Sequence, residues 1–377
     1  MDTTTQKKVP FFSFGMLLSL VVLGIGAYAA LYRFNYGLGA STNLSDDVPW
    51  GLWVAFDVLA GVALAAGGFT ITAAVYIFNM KKYKPIARPA ILTAFIGYMV
   101  VIIGLVIDIG QPQRFWHPLV MWQHRSVMFE VVWCITLYST VLGLEFAPAF
   151  LEKLKLVFLG KVLKFFTYPL VIAGIMLSFL HQSSLGGFFL IMPAKLSPLW
   201  YSPNMPYLFY MSAVAVGLAM VSFESIVSAW AFKREQERDI VAGLGKGTAI
   251  ALFVYLAARF ADLGSRGALS MAFDGSQPGR LFLFEVGLGF AAPMTLLAIK
   301  AVRNSIGGVL VSSVMVICGV LLNRFDTNFM AQLGNGVTYF PTNREIAVTL
   351  GLIALGVFLY RMAVVFLPVL HEPETEQ

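Results

Sequence analysis

Long apolar runs, interrupted at short intervals by clusters of charge, set the pattern of this 377-residue chain. A helix needs roughly 20 apolar residues to cross a bilayer's hydrocarbon core. Ten runs meet that length, at 12–34, 50–79, 86–109, 124–147, 162–182, 206–231, 246–264, 281–302, 306–323 and 345–367. The pattern predicts an all-α polytopic membrane protein of about ten transmembrane helices, with residues 1–377 forming a single integral membrane domain. The loops on one side are short and basic. Those on the other include two long stretches near 183–205 and 324–344, rich in Pro, Gly and aromatics. Such loops dock a partner or cover a pocket more readily than they fold alone.

Composition agrees. The chain is 58% hydrophobic and 12% charged, which excludes an ordinary soluble domain. Its net charge of +6 could suggest a nucleic-acid binder, but the basic residues are spread over loops instead of forming one patch. Ten crossings put both termini on one side. That side carries Lys7, Lys8, Lys81, Lys82, Lys84, Lys153, Lys155, Lys161, Lys164, Lys233 and Arg234. By the positive-inside rule the termini are expected in the cytoplasm, and no nucleic-acid partner is expected. Ala27-Tyr28-Ala29 resembles a signal-peptidase site, but the preceding apolar run is too long for a signal core, so an uncleaved first span is predicted.

Cofactor-binding chemistry is sparse. Cys134 and Cys318 are isolated within spans, too few for an iron–sulfur cluster and in no metal-ligand spacing. Of His117, His124, His181 and His371, only His124 and His181 could pair as axial ligands. Neither haem nor metal is expected in this chain.

A short internal repeat is visible. Asp108-Ile109-Gly110 closes the third run and Asp262-Leu263-Gly264 the seventh. Met128-Phe129-Glu130-Val131 lies in the fourth and Leu283-Phe284-Glu285-Val286 in the eighth. Runs two to five would match runs six to nine as parallel repeats. The expectation is two four-helix bundles, repeat 1 about 50–182 and repeat 2 about 206–323. The extra helices, 12–34 and 345–367, flank them, one at each end of the chain.

Ionisable residues within spans are costly, and each is a candidate for function. Asp57, Asp108, Glu130, His181, Arg259, Asp262, Glu285 and Arg324 fall in the outer halves, and Glu145, Glu224 and Arg361 near the inner ends. Arg259 and Asp262, three apart on one helix face, are expected to pair. Glu130 is expected about 9 Å below the outer end of its span. Val127, Trp133 and Cys134 offer it no cation. A carboxyl so placed suits proton uptake and release. His181-Gln182-Ser183-Ser184 is the densest polar run at any predicted helix end and suits the two carbonyls of a quinone headgroup. Trp50, Trp53, Trp116 and Trp122 lie at the same level, where aromatic belts are also common.

Together the residues resemble the NrfD-like, polysulfide-reductase-type membrane subunits, with the nearest likeness to those of hydrogenase-2-type (Ni/Fe-hydrogenase) complexes. The likeness rests on Pro49-Trp50-Gly51-Leu52-Trp53-Val54-Ala55-Phe56-Asp57, Val75-Tyr76-Ile77-Phe78-Asn79, Ser126-Val127-Met128-Phe129-Glu130, Leu144-Glu145-Phe146-Ala147-Pro148, His181-Gln182-Ser183-Ser184 and Tyr339-Phe340-Pro341-Thr342. The resemblance implies a subunit of a bacterial cytoplasmic (inner) membrane without haem. It would anchor an iron–sulfur (ferredoxin-like) protein and a catalytic subunit, a hydrogenase by the nearest likeness, on the outer face. Electrons would pass between that partner and menaquinone or ubiquinone. Glu130 would then be the proton donor or relay, His181, Gln182, Ser183, Asp57 and Trp53 the quinone contacts, and Glu224, Glu145 and Asp108 a proton path. Glu285, at the same expected depth as Glu130 but outside any matching segment, is the control position for it. Two other readings stay open at this stage: a proton or ion transporter, and a redox-inert membrane anchor.

Overall fold

The computed structural model describes residues 14–330 and 339–370. Ten helices among them are long and apolar enough to cross a membrane. They are α1 (Phe14–Tyr36), α2 (Trp53–Ile77), α3 (Lys81–Asp108), α4 (Val127–Lys153), α5 (Thr167–Ile191), α6 (Met205–Ala231), α7 (Arg238–Ser265), α8 (Gln277–Ala298), α9 (Ile306–Met330) and α10 (Asn343–Phe366). Local sequence sets several starts. Ser126, Ser276 and Ser305 each accept a hydrogen bond from a first-turn amide of α4, α8 and α9. Thr342 and Glu345 form a reciprocal capping box at α10. Lys7, Lys8 and His371 lie outside the described residues.

The helices α2–α3, α3–α4, α4–α5 and α5–α2 pack in a closed ring, and α6–α7, α7–α8, α8–α9 and α9–α6 pack in a second. The central helix α6 also packs on α2 and α5, joining the rings through a shared hydrophobic core. The two flanking helices, α1 and α10, lie against each other, with α10 seated on α3. A Cβ on Gly26 would sit 2.6 Å from the Gly351 Cα, and one on Gly289 2.5 Å from the Gly319 Cα. Only glycine permits these two backbone approaches, a packing mode typical of membrane helices.

The ends of α2/α3 at Trp53 and Asp108 and of α10 at Asn343 share one face, here the loop face. Phe14 and Leu370 lie on the opposite, terminal face. Four π-helical stretches occur among the described residues: Trp53–Ala60, Ala73–Ile77, Glu285–Ala291 and Asp326–Met330. Three of them carry a buried carboxyl, Asp57, Glu285 and Asp326. Such stretches frequently mark functional sites.

Three boundaries differ from the sequence reading. The fourth span begins at Val127, so Glu130 lies in its first turn, only about 4.5 Å along the axis, instead of about 9 Å deep. The fifth is preceded by a separate short helix, Val157–Phe165, and continues past residue 182 to Ile191. The polar run His181–Ser184 does not end it, because these side chains turn inward and Ser184 bonds back to the Leu180 carbonyl. The ninth span runs through Arg324 to Met330, so the start of the expected 324–344 loop is helical.

Candidate functional site

Glu130 is an exposed side chain at the loop-face end of α4. The Ser184 Oγ of α5 lies 2.6 Å from its Oε1 and 2.8 Å from the Leu180 carbonyl. A hydroxyl carries one proton. When that proton goes to Leu180, the contact with Glu130 is a hydrogen bond only if the carboxyl supplies its own. The Ser184 rotor therefore accommodates both protonation states of Glu130. The same end of α4 carries an aromatic cluster: Trp122 lies 5.2 Å from Trp133 and 5.9 Å from Phe129, and His124 lies 5.6 Å from Phe129. An exposed acid beside flat apolar walls can receive a planar ring and exchange a proton with it.

The first bundle also holds a file of buried polar groups. His181 is fully buried; its Nδ1 lies 3.0 Å from the Tyr98 hydroxyl and its Nε2 has no partner. Gln182 donates to the Val62 carbonyl at 3.0 Å, while its Oε1 and the Ser183 Oγ are unpaired. The rings of Tyr98 and Tyr138 meet edge-on at 4.6 Å. Tyr138 faces Ser178 and lies in electrostatic range of Glu145, whose buried Oε1 has no partner. Buried polar groups are nearly always satisfied, so this concentration of open valences is unusual. Tyr98 and Tyr138 had no signal in the sequence: an isolated Tyr in an apolar helix looks like core.

Glu224 lies on α6 beside Thr93 and Tyr360. It borders a cavity of about 30 Å³ reaching Arg234, Gln236 and Glu237 on the terminal face, large enough for a water molecule.

Asp57, Trp53 and Asp108 are not brought to the Glu130 mouth. The π-helical opening of α2 turns Asp57 and Trp53 toward α10. Asp57 accepts from Thr349 at 2.9 Å, and the Trp53 indole donates to the Glu345 carbonyl at 3.1 Å. Asp108 lies in the field of Arg33 and Glu345, and Arg33 donates to the carbonyls of Ile107 and Ile109. Tyr339, in the loop before α10, donates to the Glu345 carboxyl and accepts from the Leu52 amide at 2.8 Å. Burial pushes its phenol well above the ordinary range, and bonding to Glu345 adds to this. These groups fasten α1, α2, α3 and α10 together.

The second bundle joins Arg259, Glu285 and Arg324, each named from the sequence, in a network whose pairings spacing did not give. Glu285 is fully buried. It accepts from the Trp200 indole at 2.7 Å and the Asn323 amide at 2.9 Å, and pairs with Arg259 at 3.3 Å. Arg259 thus pairs with Glu285 instead of Asp262, because the α7 face that bears it turns into the bundle. Asp262 is held by Arg266 at 2.7 Å, Ser202 and Asn204. Glu285, the control position for Glu130 by spacing, thus sits in a buried ion pair instead of at an exposed helix end.

Matches to known proteins follow the whole chain. A family model described as polysulphide reductase, NrfD, matches residues 40–333. A chain of Nitratidesulfovibrio vulgaris (strain Hildenborough), described only as "Protein", is 38% identical over 95% of both chains. The probable Ni/Fe-hydrogenase 2 b-type cytochrome subunit of Escherichia coli K12 is 33% identical over 96% of this chain and 92% of its own length. The menaquinone reductase integral membrane subunit of N. vulgaris is 28% identical over 95% and 92%. The Escherichia coli protein's name implies a b-type haem. Such a haem needs facing axial donors. Among the described residues only His181 is a buried histidine, and its Nδ1 already meets Tyr98, while His117 is half-buried and His124 exposed. The described histidines do not fit that group.

Proposed function

The chain belongs to the NrfD family, and from that membership we propose that it is the quinone-reactive membrane subunit of a respiratory oxidoreductase. It passes electrons between a partner iron–sulfur protein, docked on the loop face, and menaquinone or ubiquinone. The catalytic partner is of the hydrogenase type, the membrane is the bacterial cytoplasmic one, and the termini are cytoplasmic. The similarity to a menaquinone reductase membrane subunit and to a hydrogenase 2 subunit supports this assignment. The observation that carries it is the Glu130–Ser184 pair at the end of α4 that also bears the Trp122, Phe129 and Trp133 rings.

Quinone reduction takes up two electrons and two protons. The electrons come from the partner. Glu130 donates a proton to the quinone oxygen, and Ser184 turns to hold the carboxylate left behind. The ring lies against Trp122, Phe129 and Trp133. His181, Gln182 and Ser183 supply the next polar layer, and Tyr98, Tyr138 and Glu145 extend it toward the terminal face. Glu224 and its water-sized cavity provide the entry on that face, from which Glu130 is reprotonated to deliver the second proton. Asp57, Trp53 and Asp108 serve the assembly of α10 in this reading and make no quinone contact.

The test is Glu130→Gln in the assembled complex, with activity measured toward quinone and toward an artificial dye that accepts electrons at the partner. The expected result is an assembled complex with normal dye activity and a large loss of quinone-linked activity. Unchanged quinone activity would refute the assigned role. An isolated subunit that binds no quinone would favour the redox-inert anchor.

A further inference from the structure

The second bundle contains a buried charge cluster for which quinone reduction at Glu130 has no use. Glu285 of α8 is clamped by Trp200, Asn323 and Arg259. Asp326, on the π-helical end of α9, is fully buried and lies directly against Glu285. No donor reaches either Asp326 oxygen; its near polar neighbour is a second carboxyl, with Arg259 in electrostatic range. Two carboxylates in contact repel each other, and they can bond only when one carries a proton. Arg324, also buried, donates to Ser212 at 2.8 Å and to Asn323, and stacks 3.7 Å from the Phe209 ring centroid. Arg259 bonds the Tyr255 hydroxyl at 2.6 Å. Yet Nε and Nη2 of Arg259 and Nε of Arg324 have no partner despite burial.

A purely structural ion-pair network would engage these donors with the open acceptors of Asp326. Instead, unpaired donors and acceptors are buried in the same cluster, the arrangement expected where a bound water and a mobile proton complete the bonding. The charges balance when both acids are ionised, two carboxylates against two guanidinium groups. One added proton, shared by the two carboxyls, leaves the cluster with a net charge of +1.

We propose that Glu285 and Asp326, held between Arg259 and Arg324, form a second proton-binding site of this chain, taking up and releasing one proton shared between the two carboxyls. The groups facing it are Tyr255 and Arg259 from α7, Asn323 and Arg324 from α9, Ser212 from α6, and Trp200 from the loop before α6. The site lies in the other bundle from Glu130 and does not depend on the quinone reading.

The test is infrared difference spectroscopy of the purified full-length chain, titrated with pH in water and in heavy water. No quinone or partner enters it. The expected result is a protonated-carboxyl band that titrates and shifts on deuteration. Asp326→Asn abolishes it, and Glu130→Gln leaves it in place. A wild-type spectrum without such a band, or a band indifferent to Asp326→Asn, would overturn the site. So would a band that neither titrates nor exchanges, which would mark a locked structural proton. Should Asp326→Asn fail to fold, isotope-labelled aspartate in the wild-type chain gives the same assignment: the band must shift with the label.

Discussion

Two isosteric substitutions, Glu130→Gln and Glu285→Gln, separate burial from chemistry. Sequence spacing gives both acids comparable positions, and the change at each is identical: one charge and one titratable proton are removed. At Glu130 the side chain is exposed, and Gln can still bond Ser184. The expected effect on stability is that of a surface substitution, within about 0.5 kcal/mol. At Glu285 the side chain has no exposure, and its loss of charge leaves Arg259, 3.3 Å away, without its main counter-charge. Breaking a buried pair by removing one partner costs about 3–5 kcal/mol. Asp326 remains as a second anion near Arg259, so the lower end applies, about 3 kcal/mol. The Asn323 amide, which now meets an oxygen, would also face a second amide unless one of them flips. A loss of that size raises the unfolded fraction on the order of a hundredfold. Denaturant or thermal unfolding of the purified chain in one detergent, followed by Trp fluorescence, measures both variants on the same scale. Equal losses, or a larger loss at Glu130, would refute the burial argument.

Two further changes probe the packing. Gly289→Ala places a methyl 2.5 Å from the Gly319 Cα, so α8 and α9 must separate. The expected outcome is a marked fall in folded yield by size-exclusion chromatography, with Gly287→Ala, which meets nothing within 4 Å, as the neutral comparison. Thr349→Val removes the hydroxyl that bonds buried Asp57, at an expected cost of about 1–3 kcal/mol. Asp57→Asn in that background should recover part of the loss in the same unfolding assay, and no recovery would count against a desolvated Asp57 as the cause.

The sequence by itself determined the class and the crossings. Each crossing needs its own apolar run, a local quantity, so ten runs become ten helices. Caps such as Ser126 and Thr342 are local too. The likeness carried by segments such as Ser126–Glu130 and His181–Ser184 was legible for the same reason. The helix ends at Val127 and Ile191 were less so, because a polar run inside a helix and one after it read alike until it is known which way the side chains point. The tertiary structure alone decided which polar groups meet. It put Asp57 and Trp53 against α10, gave Arg259 to Glu285 instead of Asp262, and joined Glu285 to Asp326 across two helices. Those pairings depend on the rotation of each helix about its axis. Rotation is set by contacts among residues far apart in the chain and, in α2, α8 and α9, by π-helical turns that shift every later side chain around the helix. Spacing along one helix carries no information about either.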